Sequence, residues 1–334
     1  MKKTTAIILA SVAMLVTCAP ALSGCGSGGV KFTLSEEGGK HYIVKCSGLS
    51  RLSGEYEIPA YYGEGDSRAP VTEIADEGFA STNFRKITVP ETVTKIGVAA
   101  FGFCPSLETV EFAEGINLKK FSRGTFGQSA NLQQIKIPDS VTTLDGLVFS
   151  GCEKLSSVTM AGVEVIGDRV FENCTSLESI TLPETLTTIG DMAFYCAGLK
   201  EIEIPASVRD SVTENSTVYG LGYGAFIGCE KLETAKIGSG VTVITSGAFG
   251  YCISLKKIYI PLSVKEVQGA YYENGALRCG HAFYGDEALT DVYFEGDEEQ
   301  WKDIKIEKNT VYSNGITMDN SALIGAVKHY NYED

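Results

Sequence analysis

The sequence predicts a mainly β solenoid, a stack of about nine coils of 22 or 23 residues with a parallel sheet and a cap at each end. Two observations predict this fold class. The same pattern of apolar residues returns at that fixed spacing along most of the chain. Within each copy, a short segment alternates between apolar and polar residues as a half-buried strand does. Little helix is expected.

The repeat is clearest in four copies, which begin at Ile87, Ile135, Ile180 and Ala235. The second of them reads "IKIPDSVTTLDGLVFSGCEKLSS". Less regular copies fill the intervals, and longer copies carry insertions. A single unit cannot bury its apolar side, whereas stacked units share a continuous core. The sequence therefore predicts a stack of coils rather than several separate domains.

The start of each coil is the predicted strand. In the copy from Ile135, Ile135 and Ile137 point inward, while Gln134 and Lys136 point outward. Pro138 has no amide donor and should end the ladder of hydrogen bonds. Strands roughly 4.8 Å apart would make nine coils a rod of roughly 45 Å.

These residues resemble the BspA-type leucine-rich repeat family. The motif that carries the resemblance is Ile-Pro-x-Ser/Thr-Val-Thr-x-Ile, followed by Ala-Phe-x-x-Cys-x-Ser-Leu, and it is almost complete from Val89 to Val110. The resemblance covers roughly Tyr56 to Ile304. The segment Val292 to Ile304 is similar to the family's closing unit, with Trp301 sealing the last coil. The resemblance implies a bacterial surface protein that binds partners and implies no catalysis.

The N-terminal residues predict export and lipidation. Lys2 and Lys3 precede an apolar run from Ala6 to Val16, which is too short to span a bilayer and is typical of a secretory signal. Leu22-Ser23-Gly24-Cys25 then resembles a bacterial lipobox, which implies cleavage before Cys25 and lipidation of its thiol. An ordinary signal peptide with a chance cysteine is the alternative.

The chain is accordingly divided into five parts. They are a lipoprotein signal peptide, a lipidated cysteine with a flexible tether, an N-terminal cap, the repeat solenoid, and a last strand with a C-terminal cap. Their bounds are 1–24, 25–30, 31–57, 58–291 and 292–334. The protein is expected outside the cytoplasm, lipid-anchored and surface-exposed, and the Gly/Ser residues after Cys25 favour a Gram-positive source.

The charge and composition exclude several classes of function. The formal net charge is −14, and loss of Lys2 and Lys3 takes it to −16. An acidic chain without a basic stripe is a poor nucleic-acid binder. The glycine-rich loop from Gly220 to Gly224 lacks the strand and helix that a phosphate site requires. No cofactor and no metal are expected, and contact with the membrane is expected through the lipid anchor only.

Five cysteines occupy one repeat position, three residues after a Phe, where other copies have Thr82, Ser129 and Asp286. That position therefore requires a small side chain. Zinc is disfavoured because there are no Cys-x-x-Cys pairs, and a nucleophile is disfavoured because no His recurs with the Cys. Free, buried thiols in the core are expected, with disulfides as the alternative; the residues are Cys104, Cys152, Cys174, Cys229 and Cys252.

Three further cysteines do not fit that position. Cys196 is interpreted as lying one residue early in a shortened copy. Cys46 and Cys279 are left unassigned.

Outward-facing tyrosines near the C-terminal end are the candidate binding residues. Tyr259 and Tyr293 lie at equivalent outward strand positions. Two insertions, within 206–224 and 262–281, should emerge on the same side of the stack, and insertions in solenoids often form the binding face. Exposed tyrosines commonly anchor interfaces. The insertions contribute Tyr219, Tyr223, Tyr271 and Tyr272.

The sequence thus favours a monomeric, non-catalytic, adhesin-like protein that uses the solenoid and its insertions to bind a protein or a glycan. Two alternatives stay open. A polysaccharide-active enzyme on a β-solenoid would need carboxylates that converge in a groove. A passive cell-surface spacer would need no ligand at all, but aromatic insertions suit that role poorly.

Overall fold

The structure is a computed structural model that describes residues 14–15, 29–37, 39–47, 52–213, 216–273, 276–311 and 317–333. The side chains of residues 14–15, 212–217, 272–278 and 311–316 lie outside this description. The predicted mainly β repeat fold is confirmed. Successive coils contribute parallel strands, and two short helices occur in the described residues.

The main face of the stack consists of two five-stranded parallel sheets. In the first sheet, each strand pairs with the strand of the next coil; the strands are Ser53–Glu57, Asn83–Val89, Thr109–Phe112, Gln134–Lys136 and Ser157–Thr159. The second sheet continues with Glu201–Glu203, Thr234–Lys236, Lys257–Ile260, Asp291–Phe294 and Val327–His329. Between them, the coil from Ile180 has no regular strand on this face.

A second row of short strands forms another side of the stack. It begins with Ala69–Ile74 and Lys95–Ile96. A four-stranded sheet follows, formed by Lys120–Phe121, Thr143–Leu144, Val165–Ile166 and Thr188–Ile189. The row ends with Val243–Ile244, Glu266–Val267 and Lys305–Ile306.

The N-terminal end begins with antiparallel strands. Gly29–Ser35 pairs with His41–Ser47, and Met14–Leu15 pairs with the other edge of Gly29–Ser35. The strand from Gly29 takes in the last two residues of the predicted tether, and Ser53–Glu57, in the predicted cap, already belongs to the main sheet. Tyr61–Tyr62 and a 3-10 turn at Gly65–Ser67 complete this end.

The C-terminal end contains both helices. Helix α1 (Glu298–Lys302) begins at a capping box, in which the Asp297 carboxylate accepts from the Gln300 amide at 2.8 Å. Trp301 on α1 packs edge-on against Phe294 with ring centroids 5.3 Å apart. The hairpin Asn309–Val311 with Thr317–Asp319 and helix α2 (Ser321–Gly325) follow.

A column of phenylalanines forms the core. One ring from each coil stacks on the ring of the next, with centroids 5.0 to 5.7 Å apart. Offset stacking of this kind adds to the burial of the rings themselves. The column continues past both insertions without a break; its members are Phe79, Phe101, Phe126, Phe149, Phe171, Phe194, Phe226, Phe249 and Phe283.

Each coil turns tightly around its Phe. Residues two before and two after it are left-handed in most coils, as Leu147 (φ 64°) and Gly151 (φ 73°) are around Phe149. A β-carbon is strained in this region of backbone space, and glycine is not. The stack nevertheless places many non-glycine residues there, so packing of the core overrides the local preference.

Candidate binding surface

The predicted outward positions of the strands are in register. Thr109 pairs with Gln134 and Gln134 with Ser157 in the first sheet, and Lys236 pairs with Tyr259 and Tyr259 with Tyr293 in the second. The spacing of the repeat therefore places chemically different side chains in continuous columns on the sheet face. Small polar residues occupy the middle coils, and aromatic residues occupy the C-terminal coils.

Tyr259 and Tyr293 form part of a longer aromatic stack on that face. Their rings are stacked with centroids 4.7 Å apart, and the ring of His329 stacks on Tyr293 at 4.5 Å. His329 Nε2 also lies 2.8 Å from a carboxylate oxygen of Asp291. This hydrogen bond lowers the pKa of the Asp291 carboxyl. We call Tyr259, Tyr293 and His329 the sheet patch.

The two C-terminal insertions meet in space. The first one forms the hairpin Ser211–Thr213 with Ser216–Val218, and the second forms Tyr271–Glu273 with Ala276–Cys279. Tyr223, which follows the first hairpin, stacks on Tyr271 with centroids 4.1 Å apart and planes 5° apart. Both insertions thus contain short antiparallel strands.

Tyr219 completes this insertion cluster, which we define as Tyr219, Tyr223 and Tyr271. The ring of Tyr219 packs edge-on against Tyr223 at 5.9 Å. The side-chain amide of Gln268 donates to the Tyr219 hydroxyl at 3.2 Å, and the Tyr223 amide donates to the Asp191 carboxylate at 2.9 Å. Residues from three coils therefore hold the three rings in place.

Two glycines allow the second hairpin to approach the stack. Gly224 and Gly247 are left-handed, and a β-carbon added at Gly247 would lie 2.9 Å from the Cys279 β-carbon. Cys279 is buried against both glycines. Cys279 lies outside the repeat and could not be assigned from the sequence. In the structure its buried side chain packs against Gly224 and Gly247 and so holds the second hairpin against the coils.

The rings of the insertion cluster are half-buried and uncharged. Burial raises the pKa of the Tyr223 hydroxyl to about 12, and the neighbouring Tyr219 and Tyr271 hydroxyls act in the same direction. At neutral pH the cluster therefore presents apolar ring surface and neutral hydroxyl groups. Such surface suits recognition of a partner rather than proton transfer.

The five cysteines of the repeat are fully buried, and none forms a disulfide. Each thiol donates to the carbonyl oxygen of the Phe in the preceding coil, as Cys152 does to Phe126 at 3.3 Å and Cys174 to Phe149 at 3.3 Å. Ser129 makes the same bond to Phe101 at 2.8 Å. Thr82 donates instead to the Phe79 carbonyl of its own coil at 2.8 Å, and Asp286 accepts from the Cys252 amide at 2.8 Å. The position therefore takes a small polar side chain, which in the cysteines and Ser129 is a donor to the neighbouring coil.

Burial determines the chemistry of these thiols. It raises the pKa of Cys152 to about 12 and moves the pKa of Cys174 well above its ordinary value. A thiol in this state is not a nucleophile at neutral pH, because only the thiolate attacks.

Cys196 lies one residue before the column position of its coil, as expected from the sequence. Ala197 occupies the position, since its amide bonds to the Phe194 carbonyl at 2.9 Å as the column cysteines do in their coils. Cys196 lies at the left-handed position before it, with φ 55° and partial exposure. Cys46 is buried in the N-terminal cap, where burial and the nearby Cys104 raise its pKa.

A polar groove of about 870 Å³ crosses the middle of the sheet face. Its floor is formed by the strands Thr109–Phe112, Gln134–Lys136 and Ser157–Thr159, and its wall by 113–116. Glu111 on the floor is paired with Lys86 at 2.7 Å. Within the described residues, no group of three or more His, Cys, Asp or Glu side chains is placed to hold a metal ion.

Two predicted site residues cannot be located. Cys25 and the side chain of Tyr272 lie outside the described residues. In the part of the chain that the structure describes, no helix is long and apolar enough to cross a membrane.

Stacked short strands with a buried motif in every coil define a leucine-rich repeat protein. The model of the BspA type leucine rich repeat region matches residues 72–162 and 160–278 in six copies. These ranges cover more than half of the chain, and the chain belongs to this family. Membership of the family favours a role in binding. No curated protein matches the sequence significantly.

Several solved structures match the chain at low sequence identity. A leucine rich cell surface protein from Faecalibacterium prausnitzii A2-165 is 22% identical, over 86% of this chain and 98% of that one, with a TM-score of 0.38. The pneumococcal vaccine antigen PcpA is 18% identical, over 82% and 93%, with a TM-score of 0.34. A leucine-rich repeat protein from Bacteroides ovatus ATCC 8483 is 22% identical, over 79% and 87%, with a TM-score of 0.34.

Proposed function

We propose that this protein is a non-catalytic, adhesin-like binding protein that is anchored to the bacterial surface through lipidated Cys25. It holds a protein or glycan partner at the C-terminal end of its repeat stack. The observation that carries the proposal is the insertion cluster, in which Tyr223 and Tyr271 from two different coils stack 4.1 Å apart. The Phe column runs unbroken past both insertions, so the coils themselves stack without any need for these rings.

The chemistry of the cluster supports recognition rather than turnover. Its three rings are neutral and half-buried, and aromatic anchors of this kind contribute much of the binding energy at interfaces. The column thiols are protonated and enclosed, so they offer no nucleophile. Incubation of the purified protein with polysaccharides and peptides should therefore release no products.

The binding test compares three proteins on a glycan array and a panel of extracellular proteins. Wild type should bind at least one probe that Tyr223→Ala/Tyr271→Ala binds more than tenfold more weakly. The matched control is Tyr251→Ala/Tyr284→Ala, since these rings also contact each other, at 5.3 Å, but belong to the turns. Equal binding by all three proteins would refute the proposal.

The anchor has its own test. Wild-type protein expressed in a Gram-positive host should incorporate radiolabelled palmitate and sediment with membranes, and Cys25→Ser should do neither. Labelling that persists in Cys25→Ser would exclude lipidation at this thiol.

A further inference from the structure

The sheet patch differs from an open aromatic platform, because its rings cover one another. Tyr293 lies between Tyr259, 4.7 Å away and 17° from parallel, and His329, 4.5 Å away and 15° from parallel. Both faces of the central ring are therefore occupied. A flat sugar cannot stack on Tyr293, and what the patch offers a partner is ring edges and the polar groups beside them.

The protein's own C-terminal residues already use those edges. After the strand Val327–His329, the chain turns at Asn331, which is left-handed with φ 55°. Tyr332 then packs its ring at 5.0 Å and 52° against Tyr259 and at 5.6 Å and 67° against Tyr293. These are the tilted and edge-to-face arrangements that aromatic rings prefer.

Two backbone hydrogen bonds hold this short tail. The Asn331 amide donates to the Gly296 carbonyl at 2.9 Å, and the Tyr332 amide donates to the Phe294 carbonyl at 3.1 Å. Asn331 and Glu333 on either side of Tyr332 are exposed. The tail is thus bound as a separate peptide would be, by main-chain hydrogen bonds plus one aromatic side chain.

We propose that the sheet patch is a recognition site for an extended peptide segment of a partner protein, with an aromatic side chain that takes the place of Tyr332. The carbonyl groups of Phe294 and Gly296 accept from the backbone of that segment, and Tyr259 and Tyr293 receive its ring. The tail is the resident occupant, so the partner must displace it. The inference rests on the proposed binding function and names the partner class for one patch.

Competition by the tail determines the expected result. The apparent affinity of the site is its intrinsic affinity multiplied by the fraction of molecules in which the tail has left the site. Removal of the tyrosine of the tail increases that fraction and should therefore raise the affinity for a separate peptide. The probe is a fluorescein-labelled peptide of sequence His-Tyr-Asn-Tyr-Glu-Asp, which copies residues 329–334. Fluorescence anisotropy measures its binding to the full-length mature chain.

Tyr332→Ala should bind this peptide at least about fivefold more tightly than wild type does. Tyr293→Ala should not bind it, and a peptide with Ala in place of its second tyrosine should not bind any variant. A chain that ends at Asn331 must behave as Tyr332→Ala does, which separates release of the tail from misfolding. Equal affinity in wild type, Tyr332→Ala and the shortened chain would overturn the proposal.

Two controls separate this inference from its alternatives. Tyr223→Ala/Tyr271→Ala should bind the peptide with the same affinity as wild type. The proposal for the sheet patch can therefore be refuted without refuting the proposal for the insertion cluster, and the reverse also holds. Light scattering should find wild type monomeric. A dimer that dissociates when Tyr332 is changed to Ala would show that a second copy supplies the tail, and would overturn the assignment to a partner protein.

Discussion

Replacement of Cys152 distinguishes a position that requires a donor from one that requires only apolar volume. Cys152 has no exposed surface, and its thiol donates to the Phe126 carbonyl at 3.3 Å. Cys152→Val keeps an apolar residue but removes the donor. Cys152→Ser keeps the donor but loses the larger apolar sulfur. If the column needs only apolar filler, the valine variant should be the more stable of the two.

The magnitudes favour serine. In Cys152→Val the lost hydrogen bond costs about 0.5 to 1.5 kcal/mol, with a weak S–H donor at the low end. The additional methyl group must fit between coils whose Phe rings are 5.3 to 5.4 Å apart, and overpacking costs about 1 to 3 kcal/mol. The expected total is about 1.5 to 3.5 kcal/mol. Cys152→Ser should cost about 1 kcal/mol, since it loses roughly one buried apolar group.

Urea unfolding followed by circular dichroism provides the comparison. Repeat arrays can deviate from two-state behaviour, so the midpoints are compared rather than extrapolated free energies. The expected order of midpoints is wild type, then Cys152→Ser, then Cys152→Val. Ser129→Cys is the reciprocal variant. It keeps the donor to Phe101 but weakens the bond that the Ser129 hydroxyl accepts from the Cys104 amide at 3.0 Å, so it should cost about 1 kcal/mol. A valine variant as stable as the serine variant would refute the donor requirement.

The remaining predictions concern thiol access and pH. A maleimide reagent added to folded, unreduced protein should react first with the partly exposed Cys196. Cys174 should stay unmodified until the chain is denatured and should then react as a free thiol. Rapid modification of Cys174 in the folded protein, or no free Cys174 thiol after denaturation, would contradict the structure. His281 is fully buried, and neither ring nitrogen has a hydrogen-bond partner among the residues that the structure describes. Burial lowers its pKa from the ordinary 6.5, although Glu307 and Asp319 act in the opposite direction. Below pH 6.5 the unfolded chain binds a proton that the folded chain does not, so stability should fall as the pH drops through that window. His281→Gln should show a flatter midpoint between about pH 7.5 and pH 5, and a slope equal to that of wild type would exclude this histidine as its source.

The repeat itself could be predicted because one apolar pattern recurs. Alternation within the strand determines which side chains point inward, and the constant length of the coil determines which side chains become neighbours. Thus Tyr259 and Tyr293 were expected at equivalent outward positions, and they pair in the structure. The Phe column follows from the same reasoning.

The donor role of the cysteines could be inferred only in part. The shared use of Cys, Ser and Thr indicated a small side chain, but the acceptor is a backbone carbonyl of the neighbouring coil. Every residue has a backbone carbonyl, so the residue types do not show which carbonyl accepts the bond. Cys196 was placed one residue before the column position, and in the structure Ala197 occupies that position.

The sheet patch was predicted incompletely because its last members lie outside the repeat. Tyr259 and Tyr293 occupy repeat positions. His329 belongs to the strand Val327–His329, which lacks the repeat motif and was therefore not predicted. Tyr332 reaches the patch only because the chain reverses at Asn331. The internal hairpins of the insertions were missed because their strands are short and lack the alternation of the repeat.

The most direct test of the central claim is removal of the insertions. A chain in which two-residue turns replace residues 211–218 and 271–279 should keep the far-ultraviolet circular dichroism of the coils, because the Phe column passes both sites unbroken. On the same glycan and protein panel, this chain should lose the probes that wild type binds through the insertion cluster. Undiminished binding by the folded, shortened chain would show that the regular coils, and not the insertions, carry the function.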